Sequence, residues 1–480
     1  MNTNGQLDDF VNSFLDFENQ YHLFDIKINK ARVWNYLRIH VYNDLLKIKG
    51  FRNGEAGEKS RTRENKKTWE FIWKKYVSCN ELFAHQRDVL IISHGRKYKD
   101  GNKYYKCPYT NLLDGYLKNS HYILDKKTPD GTYEIQKSRN ILYSDIEMFN
   151  KVMHVSFPEE MALRSEIDAG IIEPIETYFN QPIGLELKKK WTQCINDYIN
   201  IRKEYLVYYN YMLERIKPKI ILIVCAYAVD GMFLCEVAHK RQIPVVELQH
   251  GLMGDEHIAY NFKSKMRLST FPDYIFTFGN FEKQLTRFPI SKSHIIPVGY
   301  PELENKHMVY KTKKGSKKVV LFISALSSKI AEFADAVATM LDEDKYQIIV
   351  QLHPFEYSCW KETIGKYLTH PAIKVVGGYE HPVYESLAQA DWVVGNYSTV
   401  LSEAQMFDVK VAVMKFEMYR SVKFLYQNGY AVLVDSPEQL VKEIEEDTFQ
   451  PNRKMCLFEK NSLQKMQKAI DRIIEIERRG

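Results

Sequence analysis

The spacing of apolar and polar positions divides the chain into three kinds of stretch. Near the start, Phe10, Phe14 and Phe17, then Trp34, Leu37, Ile39 and Val41, recur at roughly helical intervals, which predicts helices. From Asp88 onward the pattern changes to short apolar runs separated by helix-length segments. The first is DVLIIS (88–93), followed by a mainly helical region over roughly 145–217 that contains Trp191 and the tyrosine-rich YLVYYNYM. PKIILIVCAY (218–227), IPVVELQ (243–249), PDYIFTFG (272–279) and HIIPVG (294–299) come next. Runs that are apolar almost throughout suit strands buried on both faces of a parallel sheet.

A polar, lysine-rich stretch over 302–318, containing KTKKGSKK, then interrupts the alternation and reads as a linker. The alternation restarts with KKVVLFIS, YQIIVQL, IKVV, DWVVG and KVAVM, each followed by a predicted helix. The expected organisation is a helical, basic N-terminal extension (1–87), an N-terminal Rossmann-like acceptor domain with a helical insertion (88–301), a linker (302–318), a C-terminal Rossmann-like nucleotide-binding domain (319–457) and a C-terminal helix (458–480). Two such series predict an α/β protein with two doubly wound domains facing a central cleft.

Composition narrows the class. With 45% hydrophobic and 27% charged residues the chain reads as a soluble globular protein. A net charge of +6 without a compact arginine-rich block permits an anionic partner and does not call for nucleic acid. Basic residues outnumber acidic ones over 44–76, beside Trp69, Phe71, Trp73 and Tyr76. That segment reads either as a rest on an anionic membrane surface or as a solvated loop leading into a buried helix. The seven cysteines are scattered, odd in number and without a CxxC pair, so a reducing compartment is expected and a zinc knuckle is not. No signal-peptide pattern opens the chain, and the longest apolar run, 220–229, is too short to span a bilayer. A cytoplasmic protein is the expectation, with a peripheral position at the inner face of the plasma membrane as the alternative that the basic segment leaves open.

In open parallel sheets, ligands lie beyond the carboxyl ends of the strands, so the residues following each run carry the candidate chemistry. After KKVVLFIS come Ser324, Ser327 and Ser328, whose hydroxyls and helix amides suit a phosphate or, equally, a plain N-cap. After YQIIVQL come His353 and Pro354, an imidazole aimed by a fixed turn or a structural loop histidine. After DWVVG come Ser398 and Thr399, then Glu403, four residues past Thr399 and so on the same helix face, where a carboxylate can accept both ribose hydroxyls. Gly378 lies in a loop expected to border the nucleobase. In the first series, IPVVELQ runs into His250 and Gly251, and DVLIIS into His94 and Arg96, which could hold acceptor or donor phosphates. Asp255 and Glu256 are the alternative carboxylate bases. No DxD flanked by apolar residues and no HExxH occurs, so no metal site is expected.

LHP (352–354) followed by DWVVGNYSTVLSEA (391–404) resembles the nucleotide-binding half of bacterial capsule and cell-wall GT-B transferases, including the CDP-glycerol glycerophosphotransferases. The resemblance covers roughly 219–415; Asn396 and Glu403 stand where the glycerophosphotransferases usually carry Asp. It implies that His353, Ser398 and Thr399 contact nucleotide phosphates, Glu403 the ribose, and that His250 deprotonates the acceptor hydroxyl. It further implies a metal-independent transferase with no cofactor, the nucleotide-sugar being a co-substrate and a surface glycan (capsule or O-antigen type) or lipid-linked molecule the acceptor. Inversion by single displacement is favoured over retention. The alternatives are CDP-polyol phosphate transfer of the teichoic-acid type, a sugar-nucleotide epimerase and a non-catalytic scaffold.

Overall fold

The computed structural model describes residues 3–51, 80, 82, 84–100, 104–126, 138–312, 314–324, 327–378, 381–416, 418–452, 454 and 456–479. The aromatic group from Trp69 to Tyr76 and the basic stretch from 52 to 76 lie outside the described residues.

Two parallel sheets organise the chain. The first contains β1 (Val89–Ile92), β2 (His121–Lys126), β3 (Ile141–Ser144), β4 (Ile220–Val224), β5 (Val245–Leu248), β6 (Tyr274–Thr277) and β7 (Ile295–Pro297), in the spatial order β7-β6-β5-β4-β1-β2-β3. The second contains β8 (Lys318–Ile323), β9 (Tyr346–Gln351), β10 (Ile373–Val376), β11 (Trp392–Gly395), β12 (Lys410–Met414) and β13 (Val432–Val434), in the order β10-β9-β8-β11-β12-β13. All pairings within both are parallel. The chain reverses direction across the sheet between β1 and β4 in the first and between β8 and β11 in the second. These are the switch points where a crevice opens beyond the strand ends. Two doubly wound sheets facing a cleft are the GT-B type of α/β architecture that the apolar runs predict.

The N-terminal helices α1 (Thr3–Gln20) and α2 (Trp34–Ile48) join the first sheet's core instead of standing apart. Phe14, Phe17, Trp34, Leu37 and Val41 pack with α3 (Leu185–Ile216) and α4 (Val229–Lys240) on one sheet face. Fully buried Arg38 fixes their position. Its guanidinium donates two bonds of 2.6 Å to Glu18, reaches the carbonyls of Ile258 and Asn261, and lies over Phe262. Removing one member of such a pair strands a charge in the core, at a cost of about 3–5 kcal/mol. The N-terminal layer thereby holds the loop that follows β5.

The segment over 302–318, expected as a linker, opens with helix α5 (Pro301–Val309), which has proline at its first turn. Strands β2, β3 and β13 were not anticipated. The terminal helix α9 (Ser462–Arg479) packs back on the first sheet through buried Met466, Ile470, Ile473 and Ile474. Glu304 on α5 accepts from the amides of Asn461 and Ser462 at 2.7 and 2.9 Å, so a carboxylate sits at the positive end of α9. Gly299, at φ +95°, lets the returning strand of chain near Glu459 approach so closely that a Cβ would collide with it.

Candidate active site

The first switch point gathers side chains from four strand ends. Ser93 and His94 follow β1, Lys126 closes β2, Tyr227 follows β4 and His250 follows β5. Cys225 takes a left-handed backbone at φ +64° just after β4. Such a conformation is costly for a residue other than glycine and recurs at functional sites. It turns the chain so that the Tyr227 ring comes to lie against His250, with centroids 5.7 Å apart.

His250 is buried. Its ring lies nearly parallel to that of His94 at 5.9 Å, and Tyr109 meets its other side edge-on at 6.2 Å. The Tyr109 hydroxyl donates to the His250 carbonyl at 2.8 Å. Burial, followed by the neighbouring His94, His257 and Arg96, depresses the His250 pKa from 6.5 to about 3. The imidazole is therefore neutral at pH 7 and weakly basic. His94 is lowered to about 4 by burial and by Lys126 and Arg96, and His257 to about 4 by burial. Arg96 is exposed at the mouth, its backbone amide bonded to His94 Nδ1 at 3.0 Å.

Behind His250 stands Glu247, fully buried on β5, with Oε1 3.6 Å from Nδ1 of the imidazole. Tyr260 donates its hydroxyl to this same carboxyl. Burial raises the Glu247 pKa to about 8. Gln249 serves a structural purpose: its amide donates to Glu282 at 2.7 Å and accepts from the Phe278 amide at 2.6 Å, tying β5 to the end of β6.

Asp255 and Glu256, the alternative bases, are instead engaged in ion pairs between the two halves. Lys423 Nζ is 2.8 Å from Asp255, and Arg420 is 3.3 Å from Glu256. Asp8 on α1 completes the cluster at 2.7 Å from Arg420 and 2.8 Å from Lys423. Burial raises the Glu256 pKa although Lys423 and Arg420 oppose the shift, and the ion pairs fix the loop after β5 against the second half.

In the second half, Ser324 does not face a ligand. It is buried and donates to Glu356 Oε1 at 2.7 Å, while Glu356 Oε2 accepts the His353 amide at 2.7 Å. The serine thus secures the turn that carries His353 and Pro354. His353 is half-buried, and that burial lowers its pKa. Ser327 and Ser328 are partly exposed at the start of α6 (Ser328–Met340), where helix amides are free of intrahelical partners. Gly378, at φ +91°, occupies the turn beyond β10 with open space where a Cβ would stand, and Tyr379 lies outside the described residues.

Thr399 begins a short helix α8 (Val400–Glu403), and the Glu403 amide donates to the Thr399 carbonyl at 3.1 Å, so the two residues share a face. The hydroxyls of Thr399 and of Tyr384, on α7 (Val383–Gln389), donate to the Glu403 carboxyl, whose pKa burial raises. Ser398 accepts weakly from the Val400 amide at 3.3 Å. Tyr109, which bonds His250, feels the charge of Glu403 and stacks at 5.8 Å on Tyr300, itself close to Tyr384 and Glu403. The structure therefore brings His250 and Glu403 to one cleft through an aromatic bridge. Glu247, Tyr109, Tyr227 and His257 were not singled out from sequence. For Glu247 a signal existed, a lone carboxylate inside the apolar run IPVVELQ.

Among the described residues, no group of three or more His, Cys, Asp or Glu side chains is placed to hold a metal ion, and no helix is long and apolar enough to cross a membrane.

No protein-family model matches the chain, and no curated protein matches its sequence. Among solved structures it is similar to UDP-GlcNAc 2-epimerase of Methanocaldococcus jannaschii in complex with UDP-GlcNAc and UDP, at 15% identity and a TM-score of 0.41, covering 82% of this chain and 99% of that one. It is similar to the wall teichoic acid polymerase TagF at 10% identity and a TM-score of 0.42, covering 93% and 98%. A third is the calicheamicin glycosyltransferase CalG4, at 13% identity and a TM-score of 0.41, covering 82% and 95%. These values describe a likeness of fold, and the functional reading below rests on the chain's own residues.

Proposed function

We propose that the protein is a glycosyltransferase that moves a sugar from a nucleotide-sugar to a hydroxyl of a surface glycan or lipid-linked acceptor. The observation that carries this reading is the placement of a buried, neutral His250 on the first sheet, across an aromatic bridge from the hydroxyl-rich turn of Thr399 and Glu403 on the second. His250 takes the acceptor proton as the acceptor oxygen bonds to the anomeric carbon. The bond from that carbon to the donor phosphate breaks, and the nucleoside diphosphate leaves with the electron pair, inverting the centre. Its charge is met by His353, the hydroxyl of Ser398 and the amides at the start of α6, with Thr399 orienting Glu403. Glu403 takes the ribose hydroxyls.

His250 on its own is weakly basic. Phosphates arriving with the donor add negative charge to the cleft, which raises the proton affinity of the imidazole and keeps the Glu247 carboxyl protonated behind Nδ1.

A thermal-shift panel with UDP, CMP, CDP and GDP tests the reading. One nucleotide should raise the melting temperature; at a hundredfold excess over its dissociation constant it adds about 2.7 kcal/mol. No shift with any of them contradicts nucleotide use.

A further inference from the structure

A cavity of about 620 Å³ lies beside the cleft, on the side away from the nucleotide loops. Its size falls within the range of small-molecule sites. Three parts of the chain supply most of its lining: helices α1 and α2, the loop after β5, and the segment 418–427 of the second half. Ile39, Tyr42, Leu46, Leu252 and Phe424 give it apolar walls, and Tyr227 and His257 form the end nearest His250. The Tyr227 ring touches both histidines, at 5.7 Å from His250 and 5.2 Å from His257.

The charges at the cavity also constrain its occupant. Arg420 and Lys423 are both taken up by Asp8, Asp255 and Glu256, so the lining offers no spare cation to an anionic group. Those same pairs link all three parts. An uncharged, apolar body fits such walls, and a hydroxyl attached to its inner end would point past Tyr227 toward His250.

We infer that this cavity binds an apolar aglycone of the acceptor, so that the acceptor is an alkyl- or aryl-linked sugar rather than a bare oligosaccharide. The inference rests on the transferase reading for the identity of the occupant. The N-terminal helices then serve as one wall of an acceptor site as well as a support for the loop after β5.

The test compares octyl β-D-glucoside, kept below its micelle concentration, with methyl β-D-glucoside by calorimetry on the full chain. The octyl compound should bind at least tenfold more tightly, since the two differ only in the apolar chain. Gly254 lines the cavity, and a Cβ there meets nothing within 4 Å, so Gly254→Phe starts from open space and adds a ring to the lining. This variant should lose the octyl preference while keeping the nucleotide-induced thermal shift. Gln427→Trp, at an exposed rim position, serves as a second variant and should weaken octyl binding likewise. Equal binding of the two glucosides to the wild type overturns the inference, as does full octyl affinity in both variants. A retained nucleotide shift in either case leaves the transferase reading standing, which keeps the two failures distinct.

Discussion

The two strand-end clusters that face each other across the cleft differ in how they treat ionisable groups. At the first sheet, four ionisable groups, His94, His250, His257 and Glu247, stand close together, and burial pushes each toward its neutral form. At the second, burial does the same to His353 and Glu403, but these two stand among the hydroxyls of Ser398, Thr399 and Tyr384 and the helix amides. A cluster of titratable groups responds strongly to a change of nearby charge, which suits proton transfer. Hydroxyls and amides bind an anion without titrating. The contrast assigns chemistry to one sheet and recognition to the other.

The comparison breaks most visibly at His250. His250→Ala should lower turnover by on the order of 10²–10⁴, the span of a lost general base, as read in initial rates at saturating donor. A smaller effect is expected at Glu403→Gln, which keeps the shape and replaces one acceptor oxygen by a donor. Nucleotide affinity should weaken by about tenfold, comparable to one hydrogen bond to a charged group, with unchanged affinity contradicting the ribose contact.

The smallest effect concerns stability against pH. Glu247 and Glu282 have folded pKa values raised from 4.5 to about 8, so the stability they contribute is complete below 4.5 and is lost as pH rises through about 8. His250, His94 and His257 are depressed from 6.5 to between about 3 and about 4, so their contribution is complete above 6.5 and is lost as pH falls. The two sets oppose each other between 4.5 and 6.5, and the melting temperature should be highest there. Glu247→Gln keeps an acceptor for Tyr260 and should flatten the alkaline decline; an unaltered slope would show that Glu247 does not titrate in that range.

Much of this arrangement was legible in the sequence because parallel strands fix direction. Once PKIILIVCAY, IPVVELQ and DWVVG read as buried strands, His250, Ser398, Thr399 and Glu403 had to fall at carboxyl ends. Strands β2 and β3 are hard to read because HYILDK and ILYS carry only two or three consecutive apolar residues and lie among tyrosines, lysines and serines. The roles of Asp255 and Glu256 were not legible, since their partners Arg420 and Lys423 lie far away in the chain and meet them only when the halves dock. Ser324 was misread for a related reason. Its hydroxyl stands where a phosphate group could be expected, and only the packing of Glu356 beneath the His353 turn shows that it is already used. The depressed pKa of His250 likewise depends on burial and on His94 and Arg96, which follow a different strand.

The division of labour between the sheets is tested most directly by measuring turnover and nucleotide affinity side by side in His250→Ala and His353→Ala. His250→Ala should lose turnover with nucleotide affinity nearly unchanged, and His353→Ala should show weakened nucleotide affinity as its primary defect. Parallel loss of both quantities in His250→Ala would contradict the assignment of chemistry to the first sheet.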